Sequence, residues 1–366
     1  MLKTYRYRLV PSCKQQAALQ HTLDLCRNLY NCALEQRRMQ RTTPVAQMRE
    51  VTELKKEFTD YQGVHVHVLQ NVIKKLDRSF ENFFRRVKAG QKPGFPRFKG
   101  KDRFDSFAFN NTGFSLAGKY LQISKIGAIK LRLSRPLPKD STIKSLIVRR
   151  SSNNWYACLV ADYTPQTLPA SELCVGLDLG IENFAALSDG SFIPNPRIYE
   201  KAQAELRRAQ RRVARRKKGS HRRKRAVELL RKVHERIANR RLDILHKEST
   251  KLIQKYGTIV VEALNVKGLA QGFLAKQVQD TSWARFIQLL SYKAEEAGRR
   301  LVKVDCSYTS QTCPECGVIK KKSLSNREHN CECGCRMRRD TAAAKIILGR
   351  IAPLGENVGA FSPCVA

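Results

Sequence analysis

Acidic residues are scarce in this chain: 32 Asp and Glu stand against 69 Lys and Arg over 366 residues, a formal charge of +37. Self-repulsion on that scale far exceeds what solubility needs, and it persists where a polyanion neutralises it. The sequence also lacks any run approaching 18 apolar residues, which excludes a membrane-spanning helix, and Met1 to Val10 alternates like a strand instead of forming a signal-type apolar block. Anionic membrane therefore yields to nucleic acid as the expected partner. Histidine is sparse too, at seven residues. A transposase that joins DNA ends through a catalytic Tyr with paired His would find its His pair only in His65 and His67. These alternate with Val64, Val66 and Val68 and read as packing or a surface strand.

Cysteine is not scarce, but its distribution argues against a secreted disulfide scaffold. Of 12 cysteines, five crowd between Cys313 and Cys335, as expected for a metal site in a reducing compartment. Cys313-Pro314-Glu315-Cys316-Gly317 has the spacing that places two thiolates on one side of a tight turn. After 14 residues, Cys331-Glu332-Cys333-Gly334-Cys335 offers three more. The pattern is that of a four-ligand structural zinc site. Cys313, Cys316, Cys331 and Cys333 are the expected ligands, with Cys335 or His329 as replacements in the second, shortened knuckle. Cys13, Cys26, Cys32, Cys158 and Cys174 fall on apolar positions and read as core.

The hydrophobic period outlines an α+β multidomain chain. Tyr5, Tyr7 and Leu9 mark a strand, and Pro11-Ser12 then opens a helix with Leu19, Leu23, Cys26, Leu29 and Ala33 on one face. A second amphipathic stretch runs from Leu69 through Phe83-Phe84 to a turn at Gly90 to Gly94. From about 105 to 163 the period drops towards two, with a hairpin at Ser151 to Asn154. Thr164 to Glu172 reads as a linker. A β-meander opens the next domain near 173, a long helical pair broken at Gly219-Ser220 follows, and a β-branched strand runs from Thr258 to Glu262. A helix through Trp283, a strand at Leu301 to Val304, the cysteine cluster and a helix from Asp340 complete it. Residues 351–366 read as a loose tail.

Three acids stand out. Asp178 sits within an apolar strand, Glu262 ends another, and Asp340 opens a helix. A lone buried carboxylate is costly, so an acid inside an apolar strand usually has a cationic partner. Carboxylates from separate elements are what two-metal phosphodiester hydrolysis needs, the ions lying about 3.5–4 Å apart. Two of them have a plain alternative: Glu262 as a turn cap, Asp340 as an N-cap. Asp189, Asp305 and Glu182 are candidates for a fourth ligand, Asp189 more simply as a hairpin turn. Residues 201–250 hold 19 Lys and Arg against five acids, and Arg211, Arg212, Arg215, Arg216, Lys217 and Lys218 are the expected phosphate contacts. Gly94 to Lys101 interleaves Phe95 and Phe98 with Arg97 and Lys99, suited to base stacking or to packing.

In order, Cys26-Arg27-Asn28-Leu29-Tyr30-Asn31, Gly94-Phe95-Pro96-Arg97-Phe98, Gly176-Leu177-Asp178-Leu179-Gly180, Arg215 to Ser220, Val260 to Asn265, Tyr308 to Cys313 and Arg339-Asp340 resemble the TnpB proteins of bacterial insertion sequences, relatives of type V CRISPR effectors. The resemblance covers nearly the whole chain. It implies an RNA-guided DNA endonuclease that uses guide RNA from the transposon end and cuts double-stranded DNA, with a displaced single strand, beside a short adjacent motif. Magnesium would be catalytic and zinc structural, in a bacterial cytoplasm. Asp178, Glu262 and Asp340 become a RuvC triad in an RNase H fold over 173–304 and 336–350, with a zinc ribbon at 305–335. A β-barrel-like wedge domain takes 1–10 and 105–163, with a helical recognition insert at 11–104 in which Gln70, Asn71 and Lys74 face nucleic acid. Ala263, Ala342 and Ile346 depart from the family pattern, which has Asp and two Asn there. Activity is expected, with room for reduced cleavage, and a guided DNA-binding repressor or transposition accessory protein is the alternative.

Overall fold

The computed structural model describes residues 1–101, 103–269, 271–272, 275–323 and 326–351; from 352 onward the expected tail lies outside the described residues. Contacts divide the chain into Met1–Thr164 and Pro165–Ala366. Among the described residues, no helix is long and apolar enough to cross a membrane.

The first unit begins with β1 (Leu2–Val10), whose alternate Tyr5, Tyr7 and Leu9 are buried. Four helices follow: α1 (Cys13–Met39), α2 (Pro44–Glu57), α3 (Thr59–Gln62) and α4 (Val66–Lys88). A reciprocal capping box between Ser12 and Gln15 starts α1, and Thr43 caps α2 with Pro44 in its first turn. His65 caps α4, its ring accepting from His67 N–H. The Val-His alternation is thus the entrance to a helix, not a strand, because the cap bond diverts the backbone. Six further strands are β2 (Ser106–Phe109), β3 (Phe114–Ala117), β4 (Tyr120–Ile123), β5 (Gly127–Arg132), β6 (Thr142–Ser151) and β7 (Asn154–Asp162). With β1 they form one antiparallel sheet in the order β2-β6-β7-β1-β5-β4-β3. Its edge strands β2 and β3 do not pair with each other, so the sheet is a half-barrel and not a closed barrel. The helices enter between β1 and β2.

The expected linker is not loose. Leu168 N–H donates to the Ala297 carbonyl at 3.0 Å, and a side chain at Gly257 would collide with the Ser171 backbone. The second unit's meander is β8 (Cys174–Leu179), β9 (Asn183–Leu187) and β10 (Phe192–Pro194). Then come α5 (Ile198–Ala214), α6 (His221–Lys255), β11 (Thr258–Glu262), α7 (Val266–Leu269), α8 (Ala275–Thr281), α9 (Trp283–Ala297) and β12 (Arg300–Val304). The five strands order as β10-β9-β8-β11-β12, antiparallel through β8 and parallel from β8 to β12. The central parallel strands β8 and β11 are mostly apolar and buried, as expected where helices cover a sheet, whereas edge strand β12 carries Arg300 and Lys303. A small hairpin, β13 (Glu328–Asn330) with β14 (Arg336–Arg338), leads into α10 (Arg339–Gly349). The hairpin claims residues 336–338, which the sequence reading placed with the nuclease domain.

Of the cysteines read as core, only Cys26 is buried; Cys13 and Cys32 are exposed, and Cys158 and Cys174 lie between. The cations of the α5–α6 pair leave one face apolar. Leu206, Ala209, Val233 and Ile237 form a buried seam, and the cations occupy the rest.

Candidate functional site

Strand register brings the first two acids together. β8 and β11 run parallel with Leu177 opposite Val261, so the next residues, Asp178 and Glu262, leave the sheet side by side. The third acid arrives by close packing. Gly176 lies so near α10 that a Cβ there would sit 2.1 Å from the Ala344 carbonyl oxygen. Asp178 is two residues on from Gly176, about 6.6 Å along the strand. Asp340 is one turn back from Ala344, about 5.4 Å along the helix.

The electrostatics follow from this convergence. Burial, together with the charges of Glu262 and Asp340, pushes the Asp178 carboxyl up to about 7, against a counter-pull from Arg339. Glu262 is 6% exposed and is raised by burial despite accepting a hydrogen bond from the Thr309 hydroxyl. Asp340 is held at 3.4 Å by Arg339. It is the second residue of its helix and not the cap, which is Arg338 without a side-chain bond. Asp178 feels the charges of Glu262 and Asp340 against that of Arg339, and Glu262 feels Arg350; carboxylate oxygens are the donors that a hard divalent cation takes. Thr309, buried and aimed at Glu262, escaped sequence reading; its place beside the Tyr308 to Cys313 motif was the available signal.

Asp178 and Asp340 line a cleft of about 960 Å³. Arg197, Lys276, Lys322, Arg327 and Arg339 line it too, an arrangement suited to a phosphodiester backbone. Glu182 borders the cleft but pairs with Arg327 at 3.3 Å. Asp305 is exposed beyond β12 and faces Arg350 at 3.9 Å. Asp189 is occupied elsewhere: it accepts from Ser191 N–H and hydroxyl, Tyr256 hydroxyl and Lys255, tying the β9–β10 turn to the end of α6. Burial alone would raise its pKa, but these bonds hold it well below the carboxylate range. Because the folded pKa is depressed, the stabilisation is complete above the unfolded value near 3.9 and is lost as pH falls through the folded one. Asp189→Asn is therefore expected to cost about 1 kcal/mol at pH 7 after solvent screening. In thermal melts across pH the gap from wild type should begin to narrow below about pH 4 and keep narrowing towards the folded pKa; a gap that does not narrow between about pH 5 and about pH 2 would refute the assignment.

In the cysteine cluster, the sulfur atoms of Cys313, Cys316, Cys331 and Cys333 lie within 4.8 Å of one another. The Cys313–Cys333 and Cys316–Cys331 separations are 3.7 and 3.5 Å. A tetrahedral zinc with bonds of about 2.3 Å has sulfur edges of about 3.8 Å, so the set fits zinc. Each knuckle closes on itself: Gly317 N–H donates to the Cys313 carbonyl and Gly334 N–H to that of Cys331, both at 3.0 Å. Burial works to raise the Cys313 thiol, but backbone N–H groups of Cys316 and Glu315 outweigh it and bring it down to about 5. His329 and Cys335 are buried beside Cys313 and make a second grouping. Lys322 contacts His329 Nδ1. The first grouping offers four donors, the number a closed tetrahedral zinc site takes, where the second offers three.

The basic surface is partly as expected. Arg208, Arg211, Arg212, Arg215 and Arg216 line a hollow of about 210 Å³, and Lys217 and Lys218 are exposed. In the first unit Lys74 and Arg97 are exposed and Gln70 is half-buried. The Asn71 amide is spent on the Ala108 carbonyl and Asn110 at 2.9 and 3.1 Å, anchoring α4 to β2. Lys99 is fixed through its backbone, which exchanges bonds with Asn31.

Known proteins resemble the chain in sequence and in fold. A family model described as "Probable transposase" matches residues 157–272, one for a Cas12f1-like TNB domain matches 283–347, and a helix-turn-helix model matches 1–43. In this chain that last stretch is one strand and one uninterrupted helix. A Streptomyces pristinaespiralis protein named "Putative RNA-guided DNA endonuclease" is 34% identical over 94% of this chain and 88% of its own length. The Escherichia coli (strain K12) protein of that name with the suffix InsQ is 27% identical over 90% and 87%. In fold, the chain matches a Cas12f1 solved with guide RNA and target DNA, with a TM-score of 0.60 at 12% identity, over 96% of this chain and 99% of that one. With such identity along nearly the full length of both sequences, the chain belongs to the TnpB (OrfB) family of insertion-sequence-encoded RNA-guided nucleases.

Proposed function

We propose that this protein is a guided DNA endonuclease whose second unit cuts phosphodiester bonds in the cleft bearing Asp178 and Asp340. The convergence of three carboxylates from β8, β11 and α10, two of which (Asp178 and Asp340) line a cleft rimmed by arginine and lysine, carries the reading. The five-strand order with its antiparallel-to-parallel switch at β8 supports describing the unit as RuvC-like. Magnesium, when bound, supplies the charge that activates water and stabilises the leaving oxygen. The residues themselves hold and aim the donor set: Thr309 fixes the Glu262 carboxylate, Arg339 orients Asp340, and Gly176 lets α10 approach. Arg197, Lys276 and Arg327 line the cleft where a strand's phosphates would lie. Guide RNA comes from the transposon end in this reading, and the arginine hollow on α5 takes phosphates without reading sequence. The family departures at Ala342 and Ile346 remove no carboxylate; Ala342 is 2% exposed and packs in the helix core.

The test is to purify the protein from cells carrying its native flanking DNA, sequence the RNA that stays bound, and supply it with magnesium and matched target DNA. One abundant RNA ending at the element boundary, followed by guided cutting, is the expected result. Cutting that ignores the guide, or specific binding with no cutting, would replace the proposal, the latter with a guided repressor.

The ribbon is proposed to hold zinc on Cys313, Cys316, Cys331 and Cys333, cross-linking the segment that leads to Asp340. Colorimetric metal release should find about one zinc per chain, lost in Cys316→Ser together with several degrees of Tm, since structural zinc contributes folding energy. His329→Ala should retain it; loss of zinc there would return the histidine to the ligand set.

A further inference from the structure

The end of α4 carries a feature the cleft does not use. Its buried residues stop at Leu76, yet the helix continues to Lys88 with Phe80, Phe83 and Phe84 on it. These rings join Phe95 from the following segment in edge contacts: Phe80–Phe95 at 5.5 Å, Phe83–Phe95 at 5.4 Å and Phe83–Phe84 at 5.2 Å. Phe80 also packs on the unit's core, so the group is anchored. Its outer members are open: Phe84 is 55% exposed, and Phe95 and Phe98 are each 44% exposed. Arg38 of α1 lies over Phe95 and Phe98, at 5.9 and 5.4 Å from the ring centres. Residues 82–101 contain seven Lys and Arg and no acid.

We propose that this aromatic ledge, Phe84, Phe95 and Phe98 with Arg38, stacks unpaired bases of a bound nucleic acid. It rests on the nucleic-acid reading above and adds a base-contacting surface in the first unit. Exposed rings need a flat apolar face to cover them, and a duplex offers its base faces only at ends and openings, whereas an unpaired base offers one freely. Seven Lys and Arg in that stretch, flanked by Glu81 and Asp102, leave it net positive, which disfavours a second copy of this basic chain and attracts a phosphate backbone. One guanidinium, Arg38, lies by two rings, the combination of cation and aromatic face that stacking platforms use.

The experiment uses the full chain freed of co-purified nucleic acid, a short single-stranded oligonucleotide containing 2-aminopurine, a duplex of the same sequence, and phosphatidylserine vesicles. Phe84→Ala with Phe95→Ala is expected to weaken single-strand affinity by about tenfold or more and abolish the 2-aminopurine quench. The slope of affinity against salt should keep its wild-type value, since no phosphate contact is lost. Phe84→Tyr with Phe95→Tyr should restore both, which a merely structural role would not require. Unchanged single-strand affinity in the alanine variant, with duplex binding intact, would overturn the ledge and leave the nucleic-acid reading standing. Loss confined to vesicle binding would overturn it in favour of a membrane surface. Absence of nucleic-acid binding by the wild-type chain would overturn both readings.

Discussion

Asp178→Ala is expected to reduce guided DNA cutting by about a thousandfold or more while leaving guide RNA binding at its wild-type level. The carboxylate is the middle of the three, with Glu262 beside it across the parallel strands and Asp340 reaching it from α10, and its removal leaves two acids that no longer surround a cation. The check that the loss is chemical is the metal-free melting temperature. The folded pKa is raised to about 7, so for the metal-free protein stability declines as pH climbs from about 4 to about 7, and the penalty is complete above that. Asp178→Asn removes that penalty and should raise Tm at pH 8, by at most roughly 4 kcal/mol of stability at 1.36 kcal/mol per unit of pKa. At about pH 4 the gain should be largely gone. Single-turnover cleavage and melts on the same preparations measure both, and a variant that cuts at the wild-type rate would remove Asp178 from the site.

The second large effect is expected from a residue with no functional group. Gly176→Ala would place a methyl 2.1 Å from the Ala344 carbonyl and 2.8 Å from Leu348 N, and neither neighbour is a flexible side-chain end. Helix α10 must move off β8, at a cost of about 3 kcal/mol or more and a Tm drop of roughly 6–12 °C. Because α10 carries Asp340, cutting should fall steeply even well below the new Tm, whereas RNA held by other surfaces should remain. Gly100→Ala is the control, since nothing lies within 4 Å of the Cβ it would add. Wild-type stability and cutting in Gly176→Ala would show that α10 does not pack as described.

Much of the architecture was legible because period and punctuation are local. The alternation of β1, the apolar faces of α1 and α4, the hairpin at Ser151 to Asn154 and the break at Gly219-Ser220 each depend on residues a few positions apart. Other features were not. Helix α2 was missed because only Gln47 and Val51 are buried on it, too few to set a visible period. The His65–Val68 alternation looked like a strand until a cap bond inside the helix start accounted for it. Asn71 looked like a base reader from the polar side of α4, and only the arrival of β2 shows where its amide goes.

The candidate site divides along the same line. The kinds of group present were determined by the sequence alone: a carboxylate in an apolar strand needs a cation, paired cysteines at knuckle spacing need a metal, and +37 of charge needs a polyanion. Which groups meet was decided by tertiary structure. The β8–β11 register, set by strands 84 positions apart at Cys174 and Thr258, places Glu262 beside Asp178. The missing side chain at Gly176 admits the helix that brings Asp340. The fold also gathers Cys313 with Cys316, Cys331 and Cys333 on one hand and with His329 and Cys335 on the other. Residue chemistry travels with the chain, but distance between residues far apart in sequence exists only once backbone packing has closed the loops between them.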